Sequence, residues 1–178
     1  MKLNSSPLRI LAIDPGFDRL GVAILDKINN KENLVYSTCI ITNRKDSFED
    51  RLFSLGESLE KIIKKHKPDH LAIETLFFTT NQKTVMGVAE VRGVCLYLSK
   101  KYKLEIYEYS PPQVKVAVTG YGRGTKEDIA YMIYKIIKIP SKIKLIDDEI
   151  DAIAIAVTHS ACVKTHDTKS NKQEQRNL

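Results

Sequence analysis

Four acidic residues occupy positions where carboxylates are rarely placed without a purpose. Asp14 ends the apolar run 10–13, and Glu74 ends a second short apolar run. Asp148 and Asp151 are three residues apart at the start of a helical pattern, a spacing that puts both side chains on one helix face, roughly 5–6 Å apart. Carboxylates gathered in one place repel one another at neutral pH unless their pKa values rise or cations bind between them. The four residues are therefore candidate ligands of metal ions.

Metal-assisted hydrolysis is the chemistry that such a carboxylate cluster supports. Hard oxygen ligands favour Mg²⁺ or Mn²⁺ over zinc, and the sequence has no cluster of cysteines or histidines that would favour zinc. Two such ions about 4 Å apart can activate a water molecule and stabilise the leaving oxygen of a phosphodiester. We therefore predict two Mg²⁺ ions in each active site, with Mn²⁺ as a substitute, and hydrolysis of a nucleic-acid backbone.

Structural roles are the alternative for acidic residues of this kind. Asp147 and Asp148 could simply complement the dipole at the N-terminus of a helix. Asp151 borders a long apolar stretch, where a purely structural role is harder to explain. Asp18 and Asp26 are predicted to be ordinary turn residues.

The elements that must position these acids follow a recognisable order along the chain. Apolar and β-branched runs predict five strands, at 10–13, 21–25, 34–41, 70–74 and 104–109. Helical spacing of apolar residues predicts helices over 51–66, about 80–101, from 111, after 125 and over 150–163.

This order predicts an α/β fold with one mixed five-stranded sheet and helices on both faces. The first three strands form an antiparallel meander, separated at the second turn by a polar segment, 27–33. Strands one, four and five are parallel neighbours because the connections between them contain helices. Asp14 and Glu74 then lie at the same edge of the sheet, where the sites of such folds form.

Composition sets limits on the partners of the protein. The chain has 178 residues, of which 43% are hydrophobic, and 28 basic residues against 22 acidic ones give a net charge of +6. A basic protein of this size is compatible with a polyanionic partner such as nucleic acid. No apolar run approaches the roughly 20 residues that cross a membrane. We therefore expect no membrane association.

The cysteines and the two ends of the sequence indicate the location and the domain boundaries. Cys39, Cys95 and Cys162 have no metal-binding spacing and are predicted to be buried thiols of a cytoplasmic protein. The first seven residues have no apolar core typical of a signal peptide. Residues 1–163 form the predicted domain, and the polar segment 164–178 is predicted to be a disordered tail.

Several short motifs follow one another along the chain, over about residues 9–162. They are 12–16 with 21–23, 72–74 with Phe77, 92–94, 109–111 with 113–115, 118–123 with Lys126, and Asp148 with 151–159. Together these motifs resemble the RuvC family of Holliday-junction resolvases. The resemblance implies a ribonuclease-H-like fold, a homodimer, divalent metal, and two symmetric nicks in a four-way DNA junction during recombination and repair. Branch-migration proteins of the same pathway are candidate partners.

The same resemblance assigns roles to individual residues. It implies that Asp14, Glu74, Asp148 and Asp151 form the acidic catalytic and metal-binding site. Some members of the family have histidine where this chain has Asp148, so this position is the one at which the ligand varies.

Five further residues are predicted to contact DNA. Phe77 matches an aromatic residue that contacts unpaired bases at the junction, and Phe78 is beside it. Stacking of an aromatic ring on a splayed base contributes roughly 1–3 kcal/mol. Lys115, Arg123 and Lys126 match positions near the DNA, where phosphate contact is the expected role. A position in the core for Phe77, or on a solvated surface for the lysines, is the alternative.

Two other functions are compatible with parts of this pattern. A strand that ends in Ile13-Asp14 also opens the ATP-binding fold of actin and sugar kinases, but the chain is too short for its two lobes. A DNA-binding protein that has lost cleavage would not need all four acids. For a dimer, the helix after Glu74 is the candidate interface, because its small residues allow close approach: Gly87, Ala89 and Gly93.

Overall fold

A five-stranded mixed sheet forms the centre of the molecule in a computed structural model, which describes residues 6–29, 31–76, 82–139 and 144–163. The elements, in chain order, are β1 (Leu8–Asp14), β2 (Arg19–Ile28), β3 (Lys31–Ile41), α1 (Phe48–His66), β4 (His70–Glu74), α2 (Gln82–Lys101), β5 (Glu105–Tyr109), α3 (Pro111–Thr119), α4 (Lys126–Ile136) and α5 (Asp147–Cys162). Phe77, Phe78 and the predicted tail lie outside the described residues.

The strands are arranged in the order β3-β2-β1-β4-β5. The pairs β1–β2 and β2–β3 are antiparallel, whereas β1–β4 and β4–β5 are parallel. The predicted mixed sheet, with its meander and its parallel neighbours, is therefore confirmed.

Both faces of the sheet are buried, which explains the uninterrupted apolar runs in β1 and β4. Along β1, Ile10 and Ala12 enter the core beneath α3, α4 and α5, while Leu11 and Ile13 enter the core beneath α1 and α2. Since successive side chains of a strand point to opposite faces, a strand covered on both sides needs an apolar residue at every position. The carboxylate that ends each run therefore lies at the border of the core.

The segment around residues 27–33 differs from the prediction of a polar connection. β2 continues to Ile28 and β3 begins at Lys31. Polar residues are tolerated in β2 because each has a partner: Asp26 accepts a hydrogen bond from the Nε atom of Arg9 at 2.7 Å, and Lys27 Nζ donates to the backbone carbonyls of Ser160 and Val163 at 2.7 Å each. The prediction that Asp26 is a turn residue is wrong, because Asp26 lies within β2 and binds Arg9 of the neighbouring strand β1.

Helix α5 begins at Asp147, three residues before the predicted start at 150. The apolar pattern starts only at Ile150, but Glu149 fixes an earlier first turn. Its carboxylate accepts hydrogen bonds from the Ile146 backbone N–H at 3.2 Å and from the Ser37 hydroxyl at 2.7 Å. As a result, both Asp148 and Asp151 lie within the helix, at its N-terminal end.

A buried chain of polar side chains ties the other end of α5 to β4 and β5. The Tyr109 hydroxyl lies 2.8 Å from Nδ1 of His159, and Nε2 of His159 lies 2.9 Å from Nδ1 of His70. Burial, followed by the charges of His70 and Lys27, lowers the pKa of His159 to about 3. The ring is therefore neutral at physiological pH, and both of its nitrogens are satisfied.

The cysteines are only partly as predicted. Cys95 is buried, Cys39 is half-buried and Cys162 is exposed. The prediction of burial is wrong for Cys162, because its side chain, in the last turn of α5, is exposed to solvent. Within the part of the chain that the structure describes, no helix is long and apolar enough to cross a membrane.

Candidate active site

Asp14 and Glu74 lie side by side at the C-terminal ends of the neighbouring strands β1 and β4. In the parallel ladder, Ile13 pairs with Ile73, so the next residue of each strand carries a carboxylate at the same level. Both acidic residues are half-buried. The register therefore confirms the prediction that the ends of these two strands lie together.

Helix α5 brings Asp148 to the same corner through a close contact with Gly21. A Cβ atom at Gly21 would lie 2.1 Å from the backbone oxygen of Asp148 and 3.3 Å from the Cβ of Asp14. Gly21 is also the partner of Asp14 in the β1–β2 ladder. Only glycine lets the first turn of α5 approach β2 this closely.

The charges of the four acids are close enough to influence one another. Burial, followed by the charges of Asp151, Glu74 and Asp148, in that order, raises the pKa of Asp14 to about 7. The pKa of Glu74 is also raised, first by burial and then by Asp151. The structure thus brings together all four predicted acids in one electrostatic cluster.

Two basic side chains flank this cluster. Lys126, in the first turn of α4, places Nζ 3.4 Å from the carboxylate of Asp151, and Arg19, at the start of β2, lies 2.7 Å from Asp148. Burial raises the pKa of Asp151, and Lys126 opposes that rise. Lys126, predicted as a DNA contact, therefore reaches the acid cluster itself.

The donor set fits a hard divalent cation. All four acids supply carboxylate oxygens, which are the ligands that Mg²⁺ prefers, and their mutual repulsion is what a bound cation would offset. Among the described residues, no three acidic, histidine or cysteine side chains already converge tightly enough to enclose an ion.

The remaining predicted DNA contacts lie near the α3–α4 connection. Lys115 is half-buried on α3, and Arg123 is exposed in the hairpin between the two helices. Gly120 ends α3 with a φ of 81°, a conformation that favours glycine.

Two arginines contact the site without having been predicted. Arg92 of α2 donates from Nε to the backbone oxygen of Glu74 at 3.3 Å and pairs with Glu108 at 2.7 Å, which ties α2 to the ends of β4 and β5. Arg92 lies in the motif 92–94, one of those that carry the family resemblance, so the sequence itself indicated that this position matters. Arg19 has no comparable signal, because only the fold brings it to Asp148.

Replacing Gly21 with alanine is expected to destabilise the protein by roughly 1–3 kcal/mol, the usual cost of overpacking. The new methyl group would overlap the Asp148 carbonyl and push the first turn of α5 away from Asp14. Urea denaturation measures the stability. Gly122→Ala is the matched control, since its Cβ would meet Val116 at an ordinary 3.6 Å. Equal stability of the two variants would contradict the close contact.

Comparison with known proteins gives a consistent result. A family model described as crossover junction endodeoxyribonuclease RuvC matches residues 10–159. The RuvC protein of Fusobacterium nucleatum is 40% identical over 152 residues, which cover 85% of this chain and 80% of that protein. The RuvC protein of Petrotoga mobilis is 41% identical over 150 residues, or 84% of this chain and 91% of that protein.

Solved structures agree with the sequence comparison. The structure of Thermus thermophilus RuvC in complex with a Holliday junction substrate has a TM-score of 0.79 and 26% identity, and the match covers 86% of this chain and 93% of that one. A yeast mitochondrial Holliday junction resolvase has the same fold at 14% identity, with a TM-score of 0.65.

Proposed function

The chain belongs to the RuvC family of crossover junction endodeoxyribonucleases, and from this premise we propose that Asp14, Glu74, Asp148 and Asp151 are the residues with which it cuts DNA. It is an endonuclease that resolves Holliday junctions. The observation that supports the assignment is that the four carboxylates lie close enough, where β1, β4 and α5 meet, for their charges to act on one another, with the pKa of Asp14 raised to about 7.

Nucleases of this family depend on metal, and the proposed ion is Mg²⁺, two per site, with Mn²⁺ as a substitute. When bound, such ions supply an activated water and neutralise charge on the phosphodiester. The four carboxylates would hold them, and Asp14 must first give up the proton that it retains near neutrality. Lys126 holds Asp151 in place and offers a positive charge at the edge of the site.

DNA contact is assigned to side chains around this site. Lys115, Arg123 and Lys126 are proposed to bind phosphates, since their charges lie on α3, on the following hairpin and on α4. Phe77 and Phe78, which lie outside the described residues, are proposed to stack on unpaired bases. Phosphate contacts fix the register of the substrate, and the stacked bases select a junction over a duplex.

A homodimer is proposed because a four-way junction presents two equivalent strands, and a two-fold axis gives each strand its own site. The exposed face of α2 supports this assignment. Met86 and Tyr97 are 63% and 67% exposed there, and Phe53 of α1, across the groove between these helices, is 70% exposed. Gly93 lies between Met86 and Tyr97, and a Cβ atom added there would have no atom other than those of its own helix within 4 Å, which leaves room for a second helix.

Branch-migration proteins of the same pathway are the other partners that this activity suggests.

A synthetic four-way junction and a linear duplex of the same sequence test the proposal. With Mg²⁺, the protein is expected to make paired nicks at symmetric positions of the junction and to leave the duplex intact. Without Mg²⁺ it is expected to bind the junction and not to cut it. Equal cutting of both substrates, or cutting in the presence of a chelator, would contradict the proposed selectivity or the proposed metal site, respectively.

A further inference from the structure

Arg19 is a charged residue at the site for which the roles described above give no function. It begins β2, and its guanidinium lies 2.7 Å from Oδ2 of Asp148. Arg19 has a second contact, a hydrogen bond with the thiol of Cys39 on β3. Its side chain is 47% exposed, so it has solvent on one side and the acid cluster on the other.

The two cations form ion pairs with only two of the four clustered acids. Asp148 and Asp151, the two acids of the cluster that lie on α5, each have a basic partner, since Arg19 contacts Asp148 at 2.7 Å and Lys126 approaches Asp151 at 3.4 Å. Among the described ion pairs, none involves Asp14 or Glu74. A divalent ion that enters beside Asp14 and Glu74 meets carboxylates without ion-pair partners, whereas one that enters beside Asp148 meets a guanidinium already in contact with its ligand.

We propose that Arg19 is a resident cation on Asp148 that a divalent ion must displace, and that the displaced guanidinium then contacts a phosphate of the bound DNA. This inference depends on the proposed role of Asp148 as a metal ligand. The guanidinium suits the second task because its planar array of donors matches a phosphate as well as a carboxylate. Its exposure and its place at the edge of the site allow the change of partner without a change in the backbone.

Arg19 therefore has opposite effects on two steps. Before DNA binds, it competes with the ion for Asp148 and weakens metal binding. Once DNA is bound, it contributes a positive charge beside the strand that is cut. Removing it should improve the first step and impair the second, a combination that a purely structural residue would not produce.

The metal step is tested by titrating the DNA-free protein with Mn²⁺ and following binding by electron paramagnetic resonance. Arg19→Gln is expected to bind the weaker of the two ions about two- to fivefold more tightly than the wild type, the scale of a partly exposed ion pair. Arg44→Gln is the matched control, because Arg44 is also an exposed arginine in an ion pair, with Asp18, and has no contact with the acids. Unchanged Mn²⁺ binding by Arg19→Gln would overturn the inference.

The DNA step is tested by junction cleavage at saturating Mg²⁺. Arg19→Gln is expected to cut more slowly even though it binds metal more tightly, and Arg19→Lys, which keeps the charge, is expected to recover part of the rate. Cleavage by Arg19→Gln at the wild-type rate would also overturn the inference.

Asp148→Asn separates a failure of this inference from a failure of the proposed site. If Asp148→Asn binds Mn²⁺ as well as the wild type does, the assignment of Asp148 as a ligand is wrong, whatever Arg19→Gln does. If Asp148→Asn loses an ion and Arg19→Gln behaves like the wild type, the site stands and the role of Arg19 does not.

Discussion

Asp14→Asn is expected to abolish junction cleavage, with a loss of at least about a thousandfold, and to leave junction binding unchanged or stronger. The loss corresponds to several kcal/mol of transition-state stabilisation, the scale of a metal-ion contribution. Binding persists because the substitution removes a negative charge from a surface that faces phosphates. Single-turnover cleavage and a binding titration on the same junction measure the two effects.

Asp46→Asn is the control for this result, because Asp46 is an exposed acid in the turn before α1, where it accepts a hydrogen bond from Asn43. It should cut and bind as the wild type does. If Asp14→Asn cut at the wild-type rate with Mg²⁺ present, the carboxylates would not be the catalytic site, although the family and the fold would be unaffected.

The second large effect is expected in the stability of the metal-free protein. In the folded state the pKa of Asp14 is about 7, against an ordinary value of 3.8. Between these values the unfolded chain releases a proton that the folded protein keeps, so rising pH favours unfolding. Below this window both states are protonated, and above it both are ionised and the penalty is constant. Asp14 alone should therefore cost roughly 2–3 kcal/mol between pH 5 and pH 8, at about 1.4 kcal/mol per pH unit within the window.

Histidines act in the opposite direction over part of this range. The pKa values of His66, His70 and His159 are lowered, mainly by burial, so these residues stabilise the folded state as the pH rises toward the ordinary histidine value of 6.5. The total stability of the wild type is therefore a sum of opposing slopes. Subtracting the free energy of unfolding of the wild type from that of Asp14→Asn at the same pH cancels the histidine contribution, because both proteins contain the same histidines.

Urea denaturation in a chelator at pH 5 and pH 8 gives this difference. Asp14→Asn is expected to gain stability over the wild type as the pH rises. Added Mg²⁺ is expected to stabilise the wild type more at pH 8 than at pH 5, and to stabilise the variant less at both. A difference that does not change with pH would mean that Asp14 is ionised in the metal-free protein.

The sheet, with Asp14 and Glu74 at the ends of neighbouring strands, could be predicted because it depends on local patterns. A strand covered on both faces must be apolar along its whole length, so the sequence alone predicts strands at the runs before Asp14 and Glu74. Parallel pairing then follows from the helical connections, and it brings the two strand ends together. The order of the sheet confirms this part of the prediction.

The partners of the polar residues could not be predicted in the same way. Lys27 reads as part of a polar turn, and only the carbonyl groups at the end of α5 explain why it is buried in β2. Arg19 reads as an ordinary surface charge until α5 places Asp148 beside it. The start of α5 was misplaced for a related reason, since its first turn is held by Ser37 of β3. In each case the decisive contact is distant in the sequence.

The distribution of the acids over β1, β4 and α5 has a consequence for the synthesis of the protein. The first acid, Asp14, leaves the ribosome early, but the cluster lacks half of its carboxylates until Asp148 and Asp151 have been translated and α5 has docked on the sheet. A nascent chain, or a fragment that has lost α5 to proteolysis, therefore lacks half of the carboxylates of the proposed active site. With the proposed site residues, junction cleavage therefore becomes possible only after the fold is nearly complete.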